Sequence, residues 1–373
     1  MGSDEGLQNE GLNALGGIGI QGAGATSLSN VMVVGNNVES QGSPLFLVGA
    51  NVRGEAFNPI RDGKLDDWYT YRVQDAQNIR SYGFNVIRLV TYWEQLETST
   101  SPTLFSYNNS YLQQLVQTVQ TYNQYGVYVY IDLHEHGALN TLGKFIPIVG
   151  NDVTFGDAFY NDTSASSARE HLRQLWLMLS GTFRDDSGVI GYGICNEPHH
   201  SGSLTDQQVA NYWFDIADYV IGSLRSVGDS HIVFVNFAPY SQTTKYMSRK
   251  LNDNNVVYEV HFYYGIDTGS NTLVNNDYNW LLTQFNTSVK PRLVQFGVPY
   301  IIGEFGFETH QVSPGDGMDI WIKNVLTILK SQPNVQGWLY WSYDEDAGNL
   351  RGGGWQQTLV AYVPSGRLIV QRR

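Results

Sequence analysis

The stretch VIGYGICNEP, residues 189–198, and the stretch PYIIGEFG, residues 299–306, each contain an apolar run that ends at a glutamate. Short apolar runs of this kind are typical of strands buried on both faces, as in a parallel sheet. A carboxylate at the end of a buried strand is costly unless it is paired or has a function. Glu197 and Glu304 therefore mark both the predicted sheet and a candidate site.

Apolar runs alternate with amphipathic stretches along most of the chain. Eight runs have the composition of buried strands, at 45–51, 85–90, 127–133, 189–197, 231–237, 256–263, 299–305 and 335–343. Helical patterns lie at 68–82, 111–125, 167–183, 205–227, 278–296 and 318–330, with a short one near Lys245. Buried strands that alternate with helices predict a parallel sheet covered by helices, and eight such units close it into a barrel.

The predicted fold class is therefore α/β, a (β/α)8 TIM barrel in a single domain. An N-terminal β-hairpin is expected from 31–34 and 44–48, because turn-rich segments at 35–37 and 41–43 separate these two runs. Residues 1–30 mix small and polar residues without a period, and we expect a flexible leader there. Residues 31–373 are expected to form the catalytic domain.

The ends of several predicted helices carry recognisable signals. Ser167 with Glu170, and Thr205 with Gln208, have the spacing of capping boxes, in which side chains satisfy free amides of the first turn. Glycines follow other helical patterns, at Gly83, Gly126, Gly228 and Gly297. Glycine tolerates the left-handed conformation that commonly ends a helix, so these positions predict helix C-termini.

Composition and charge exclude several classes of partner. The net charge is −13 and charged residues make up 15%, well below the roughly 25% of an average soluble protein. The chain has no electrostatic basis for binding nucleic acid or anionic lipid, and no apolar run is long enough to span a membrane. We expect a neutral partner rich in hydroxyl groups, and a monomer. Cys195 is the only cysteine, so no internal disulfide can form.

An extracellular location is expected from weaker signals. Asn108, Asn161 and Asn286 begin N-glycosylation sequons, although a chain rich in Asn, Ser and Thr also produces such triplets by chance. A surface of neutral amides and hydroxyls keeps its character when carboxylates become protonated, which favours an acidic medium. We expect a secreted protein.

Unusual polar and aromatic residues lie where the predicted barrel strands end. The set comprises Arg88, Asp132, His134, Asn196, Glu197, His261, Tyr263, Glu304 and Trp341. In such barrels the active site lies at the carboxyl ends of the strands, so this distribution predicts one shared cleft. Two carboxylates in one cleft are the groups that glycosidic bond cleavage requires, because one protonates the leaving oxygen and the other attacks or activates water.

Each of these residues also has a structural interpretation. A single glutamate after an apolar run is commonly paired or caps a helix, Arg88 could pair with a structural carboxylate, and Trp341 could fill the core. His134 and His136 flank Glu135 and suggest a metal, but no matching cluster of ligands follows, so no metal and no cofactor are expected. Both glutamates together favour catalysis over a binding barrel without turnover.

The residues at these strand ends resemble glycoside hydrolase family 5, over about residues 31–345. The resemblance implies that Glu197 is the general acid/base and Glu304 the nucleophile. It also implies that Asn196 binds the sugar 2-hydroxyl in the −1 subsite, and that Trp341 forms its platform. The remaining implied roles are that Arg88 and Tyr263 hold Glu304 ionised, and that His134 and His261 shape the subsite.

A retaining mechanism makes a geometric prediction. Glu304 must be ionised when it attacks and Glu197 must hold a proton, and two nearby carboxylates split their apparent pKa values in this way. Glu197 then acts as base for the water that releases the sugar. Retention predicts carboxyl groups about 5 to 5.5 Å apart, and inversion predicts about 6.5 Å or more.

Among substrates we expect endo-acting cleavage of a β-1,4-glucan, by analogy with the family. The alternatives are a β-mannanase, an exo-acting β-glucosidase or β-mannosidase, and a glycolipid-cleaving enzyme. The insertion at 139–167 could form a wall or a lid of the cleft. Two segments depart from the family pattern, because 93–97 lacks a common proline and the loop at 344–355 is acidic and glycine-rich.

Overall fold

The computed structural model describes nine stretches of the chain: 28–53, 67–134, 152–200, 202–267, 270, 272–307, 317–344, 349–351 and 355–364. Several expectations lie outside them: nearly all of the leader, His136, the first part of the insertion at 139–167, and parts of the loop at 344–355. The division into a leader and a catalytic domain stays a prediction.

Eight parallel strands form a closed barrel, which confirms the predicted fold class. In chain order they are β4 (Leu47–Val52), β5 (Val86–Thr91), β6 (Tyr128–Leu133), β7 (Val189–Gly193), β8 (Ile232–Asn236), β9 (Val256–His261), β12 (Tyr300–Glu304) and β13 (Val335–Tyr340). Between β9 and β12, the short strands β10 (Ile266–Asp267) and β11 (Thr272–Leu273) form a separate antiparallel pair. The barrel closes where β13 pairs with β4. All residues of these strands are buried, because helices cover the outer face and side chains fill the interior.

Helices alternate with the strands as predicted. They are α1 (Asp67–Ser81), α2 (Trp93–Leu96), α3 (Asn109–Gln124), α4 (Asp152–Asn161), α5 (Ala168–Phe183), α6 (Asp206–Ser226), α7 (Tyr278–Gln284), α8 (Lys290–Phe296), α9 (Met318–Lys330) and α10 (Gln356–Val360). Thr205 and Gln208 form the predicted capping box, and the Ser167 side chain accepts from the Glu170 amide. Gly297 ends α8 in the left-handed conformation, as expected.

The N-terminal hairpin forms with a different partner strand from the one expected. β1 (Val31–Val34) pairs with β2 (Asn37–Ser40) through a two-residue turn, and only the short β3 (Ser43–Pro44) follows. Pro44 has no amide hydrogen and cannot extend a ladder. The run after it belongs to the barrel, because β4 has a parallel partner on each side.

Two helical expectations were wrong in detail. The segment near Lys245 forms turns, and the expected helix 278–296 is interrupted by a π-helical turn at Phe285–Val289. Pro291 follows this turn and has no amide hydrogen to donate to the preceding turn. The Thr244 amide donates to the Ser288 carbonyl and its hydroxyl to the Val289 carbonyl, so the two irregular segments bind each other.

Two apolar layers stabilise the barrel. The larger packs the outer faces of the strands against the helices. The smaller fills the amino-terminal end of the barrel, where Val31 and Val38 of the hairpin meet strand residues that include Ile232 and Ile301. The hairpin therefore closes this end of the barrel. Among the described helices, none has the length and hydropathy needed to cross a lipid bilayer.

Candidate active site

The eight residues to which the family resemblance assigns roles lie together at the carboxyl end of the barrel. Arg88 is on β5, His261 and Glu304 are the last residues of β9 and β12, and the others follow strands: His134, Asn196, Glu197, Tyr263 and Trp341. None is more than 7% exposed. The barrel register therefore converts separate strand ends into one buried polar cluster.

Arg88 lies at the centre of this cluster. Its guanidinium donates to Glu304 Oε1 at 2.7 Å and to Asn196 Oδ1 at 2.6 Å. Its other acceptors and ion-pair partners are Asn51 Oδ1 at 3.0 Å, Asp132 Oδ1 at 2.8 Å and Glu259 Oε1 at 3.1 Å. Burial opposes its charge, but these carboxylates raise the pKa of Arg88 further, so it is a permanent cation.

Glu304 accepts two hydrogen bonds. Arg88 donates to one carboxylate oxygen, and the Tyr263 hydroxyl donates to the other at 2.9 Å. His261 Nδ1 lies 3.4 Å from the same oxygen as Tyr263. Burial raises the pKa of Glu304, His261 and Arg88 oppose this rise, and the nearby Glu197 adds to it. These bonds fix the orientation of the buried carboxylate.

Glu197 follows β7 with an unusual backbone conformation. Its φ is +41°, a left-handed value that is strained for a residue with a side chain, and its amide donates to Asn236 Oδ1 at 3.2 Å. His261 Nδ1 lies 2.6 Å from Glu197 Oε1. Ligand atoms of Glu197, His261 and Glu304 lie within 4.8 Å of one another. The two carboxylates thus face each other across a single histidine.

His134 is oriented by a buried carboxylate. Its Nδ1 lies 2.8 Å from Asp132 Oδ2, and its Nε2 lies 3.5 Å from the Asn196 amide nitrogen. Burial raises the pKa of Asp132, against the opposing effect of Arg88. Such a carboxylate fixes the ring orientation of a histidine by accepting at one nitrogen, which leaves the other directed into the cleft.

Trp341 packs against protein side chains at the edge of the cleft. Its ring stacks on His134 with centroids 5.1 Å apart, and the Arg53 guanidinium lies 5.4 Å from its centroid. Its indole N–H has no hydrogen-bond partner among the described residues, although Trp341 is only 2% exposed. A buried N–H usually has an acceptor, so this donor is available to a ligand hydroxyl.

The three groups Glu197, His261 and Glu304 are close enough to bind one metal ion. Their chemistry opposes this. Both His261 nitrogens contact carboxylates, and the pKa of His261 is raised to about 10, because Glu304, Glu197 and Glu259 outweigh the effect of burial. A protonated imidazole has no lone pair for a metal, and Arg88 beside Glu304 would repel a dication.

An aromatic pair, buried His199 and exposed Tyr240, borders Glu197. The His199 ring Nδ1 lies 2.9 Å from the Glu197 carbonyl oxygen, and His199 stacks on Tyr240 with centroids 4.3 Å apart. Tyr240 has a positive φ of 58° and is 44% exposed. The sequence analysis did not identify this pair, because Tyr240 is 43 positions beyond Glu197 in the chain, in the loop after β8.

Sequence analysis also missed the polar residues beneath the cleft. Asn51 donates to two strand carbonyls and accepts from Arg88, Asn236 supports the Glu197 backbone, and Glu259 contacts both Arg88 and His261. One signal was present for Glu259. It is two residues before His261, so alternation along the strand places both on the interior face.

A family model described as Cellulase (glycosyl hydrolase family 5) matches residues 38–347. Endoglucanase B of Acetivibrio thermocellus is 24% identical over 222 residues, which cover 54% of this chain and 36% of that protein. The chain therefore spans little more than a third of that relative. The probable glucan endo-1,6-beta-glucosidase B of Aspergillus flavus is 26% identical over 351 residues, covering 85% of this chain and 81% of that protein.

Solved structures share the same fold. The crystal structure of an endogalactoceramidase matches with a TM-score of 0.64 and 19% identity, over 90% of this chain and 78% of that chain. Thermotoga maritima Cel5A in complex with mannotriose matches with a TM-score of 0.63 and 16% identity, over 86% of this chain and 98% of that chain. At these identities the likeness establishes the barrel and not the substrate.

Proposed function

The chain belongs to glycosyl hydrolase family 5 and is a glycoside hydrolase, and we propose that it is a retaining endo-β-1,4-glucanase. The observation that carries the mechanistic part is the short separation of two buried carboxylates. Oxygens of Glu197 and Glu304 lie within 4.8 Å of each other. This spacing supports retention, because inverting enzymes keep their carboxyl groups about 6.5 Å or more apart to accommodate a water.

Glu304 is the proposed nucleophile. Its attack on the anomeric carbon breaks the glycosidic bond and forms a covalent glycosyl-enzyme. The hydrogen bonds from Arg88 and Tyr263 hold both of its oxygens, so the ionised form is stabilised and oriented before the substrate arrives.

Glu197 is the proposed acid/base. Its proton passes to the leaving oxygen as the bond breaks, and the carboxylate then takes a proton from the water that hydrolyses the intermediate. Formation of the ester removes the negative charge of Glu304, which favours the ionised form of Glu197 at the moment when a base is required. His261, 2.6 Å from Glu197, orients this carboxyl group.

The −1 subsite is proposed to lie over Asn196, His134 and Trp341. Asn196 Oδ1 accepts from Arg88, and its amide nitrogen, 3.5 Å from His134 Nε2, has a second hydrogen to donate to a sugar hydroxyl. His134 is held by Asp132 with its Nε2 toward Asn196, and the Trp341 indole N–H is a further donor. Several oriented donors over one aromatic ring suit a pyranose, which presents both hydroxyls and apolar C–H groups.

The leaving-group side of the cleft is proposed to extend over Tyr240. The acid/base lies on the side from which the leaving sugar departs, and His199 links Glu197 directly to Tyr240. Tyr240 is 44% exposed and rests on a ring beneath it, so its outer face can pack against a second sugar. A platform beyond the cleavage point supports cleavage within a chain.

The choice of β-1,4-glucan is supported by relatives whose names are endoglucanases. Other names among the similar proteins are an endo-1,6-beta-glucosidase, an endogalactoceramidase and an enzyme bound to mannotriose. These define the competing substrates. The protein is also proposed to be secreted and monomeric, with Asn161 and Asn286 exposed as glycosylation acceptors.

A substrate panel tests this function. Activity and product sizes are measured on carboxymethylcellulose, mannan, xylan, a β-1,6-glucan, a galactosylceramide glycolipid and aryl glycosides, with the Glu304→Gln protein as the background control. We expect cleavage of carboxymethylcellulose to short oligosaccharides. Preferred cleavage of any other polymer or of the glycolipid contradicts the substrate assignment and leaves the enzyme class intact.

A second experiment tests retention through the Glu197→Ala variant. A dinitrophenyl glycoside needs no proton for departure, so the glycosyl-enzyme should still form and then accumulate without its base. Azide needs no base and should restore turnover, giving a glycosyl azide of β configuration. An α-configured azide, or equal loss of activity with activated and unactivated leaving groups, contradicts the proposed roles.

A further inference from the structure

A buried carboxylate that the proposed mechanism does not use lies directly beneath the catalytic pair. Glu259 on β9 is fully buried, and its Oε1 lies 3.1 Å from both His261 Nε2 and Arg88 Nε. The Tyr130 hydroxyl donates to its other oxygen. Tyr130 in turn stacks on Phe234 of the apolar layer, so Glu259 lies between that layer and the cleft.

The neighbouring strand leaves room for this carboxylate. Gly303 on β12 lies beside Glu259, and a Cβ atom at Gly303 would be 1.9 Å from Glu259 Oε1. Any other residue at 303 would displace the carboxylate. Two positions on adjacent strands therefore fit each other to place a charge beneath His261.

The contacts of His261 have a consequence for its protonation. Nδ1 is 2.6 Å from Glu197 Oε1, and Nε2 is 3.1 Å from Glu259 Oε1. A neutral imidazole carries one N–H, so it can donate to only one of these carboxylates. Donation at both nitrogens requires the imidazolium form.

We propose that Glu259 is a positioning residue that keeps His261 doubly protonated, so that a fixed cation lies between Glu197 and Glu304 throughout the reaction. This inference rests on the catalytic roles proposed above. The hydrogen-bond and ion-pair contacts that connect Glu259 to the catalytic pair run through His261 and Arg88.

Three carboxylates around His261 favour this state. Glu197 after β7, Glu259 on β9 and Glu304 at the end of β12 contact it directly, and the Arg88 cation, Asp132 and the Tyr130 hydroxyl lie beyond them. Burial opposes the charge on His261, yet its pKa is raised to about 10. Burial also opposes the charge on Glu259, but Arg88 and His261 lower its pKa, so the anion and the cation stabilise each other.

A fixed cation beside the acid/base has a kinetic signature. Positive charge favours loss of the Glu197 proton, so the alkaline limb of the pH profile of kcat/KM falls at lower pH than it would beside a neutral histidine. The arrangement therefore shifts the pH range of activity toward acid. A structural role for Glu259 alone would lower stability without moving this limb.

The test compares Glu259→Gln with wild type and with Glu97→Gln. Glu97 is the matched control, because it is also buried and also binds a histidine, with its Oε1 2.5 Å from His171 Nδ1, but it lies outside the cleft. We expect Glu259→Gln to move the alkaline limb upward by about one pH unit or more. His261 should become neutral in this variant, so that it no longer favours loss of the Glu197 proton. Glu97→Gln should lose stability with its limb unmoved.

A spectroscopic measurement tests the protonation state of His261 independently of catalytic activity. In nitrogen-15 NMR spectra of the wild-type protein, both His261 ring nitrogens should carry protons at pH 8, and the signals are assigned by their loss in His261→Gln. In Glu259→Gln the ring should titrate below pH 8. A singly protonated His261 in wild type overturns the proposal, whether or not any variant folds.

The remaining outcomes are also decisive. An alkaline limb that is unmoved or lowered in folded Glu259→Gln, with His261 still doubly protonated, overturns the proposal. An equal upward shift in Glu97→Gln does so too. If the wild-type protein cleaves no glycoside, the proposed function fails, and the NMR result then decides separately whether Glu259 sets the protonation of His261.

Discussion

The two ends of the barrel interior differ in chemistry although the same eight strands build both. At the amino-terminal end, hairpin and strand residues form an apolar layer that includes Val38, Ile232 and Ile301. At the carboxyl end, the interior holds buried charges, among them Arg88 and Glu304. One end therefore contributes stability by removing apolar surface from water, and the other carries the desolvation cost of charged groups.

Carboxyl groups at the two ends of the barrel also differ in the direction in which their pKa values are shifted. Burial raises the pKa of Glu304 and of Asp132 at the carboxyl end. Asp229, which precedes β8 at the other end, has its pKa lowered to about 2, because hydrogen bonds from His231 outweigh burial. Asp229 is thus placed to stabilise the fold as an anion, whereas at Glu304 and Asp132 burial works against the charge and the Arg88 cation opposes that effect. The comparison indicates that function and stability are separated along the barrel axis.

The largest effect is expected from Glu304→Gln. The amide cannot attack the anomeric carbon, so kcat should fall by about three orders of magnitude or more while the fold persists. Turnover of an aryl glycoside and circular dichroism measure the two quantities. Glu97→Gln, at a buried glutamate outside the cleft, is the control and should keep its activity. Retained activity in Glu304→Gln would show that Glu304, at the carboxyl end of the barrel, is not the nucleophile.

Ile232→Ala should lower stability and leave activity unchanged, the opposite of Glu304→Gln. Ile232 is fully buried in the apolar layer, and its truncation should lower the free energy of unfolding by about 2–5 kcal/mol without changing kcat at temperatures where the protein is folded. Urea unfolding gives the stability. Ile320→Ala on α9, where the side chain is 49% exposed, is the matched control and should change it far less. A drop in kcat for folded Ile232→Ala would show that the two ends are coupled.

Asp229→Asn tests the electrostatic side of the comparison through pH. The native pKa of about 2 lies below the ordinary aspartate value, so the anion stabilises the fold above the ordinary value, and this contribution is lost as pH falls through 2. The variant should therefore be less stable than wild type at pH 6, and the two should converge near pH 2. Thermal midpoints across this range measure the difference. Asp185→Asn, with a 96% exposed side chain, should show no such dependence.

The smallest effect is expected from Tyr240→Ala. Loss of the platform should reduce kcat/KM on cello-oligosaccharides about tenfold, as expected for one lost apolar contact surface. A glycosyl fluoride has no leaving sugar, so its hydrolysis should be unchanged. Tyr219→Ala, at a 39% exposed tyrosine on α6, is the control. Equal losses on both substrates contradict a leaving-group subsite at Tyr240.

Much of the fold could be predicted from local patterns. All eight strands and the main helices follow from the pattern of apolar residues. A strand buried on two faces is a short apolar run, and this pattern can be recognised in each segment separately. The errors fall where local signals compete. Pro44 limited the hairpin, and Pro291 interrupted a helix that was otherwise periodic. The position of Glu197 and Glu304 at strand ends was visible, but their roles stay predictions.

By itself, the sequence determined which residues are strands, which face the barrel interior, and at which end the polar residues lie. Tertiary structure decided which of them meet. Arg88 and Glu304 are 216 residues apart and become neighbours only because the barrel closes in one register. The same closure brings Glu259 beneath His261 and Tyr240 beside His199. Periodicity fixes the direction of a side chain, whereas the distance between side chains on separate strands depends on the packing of the whole barrel.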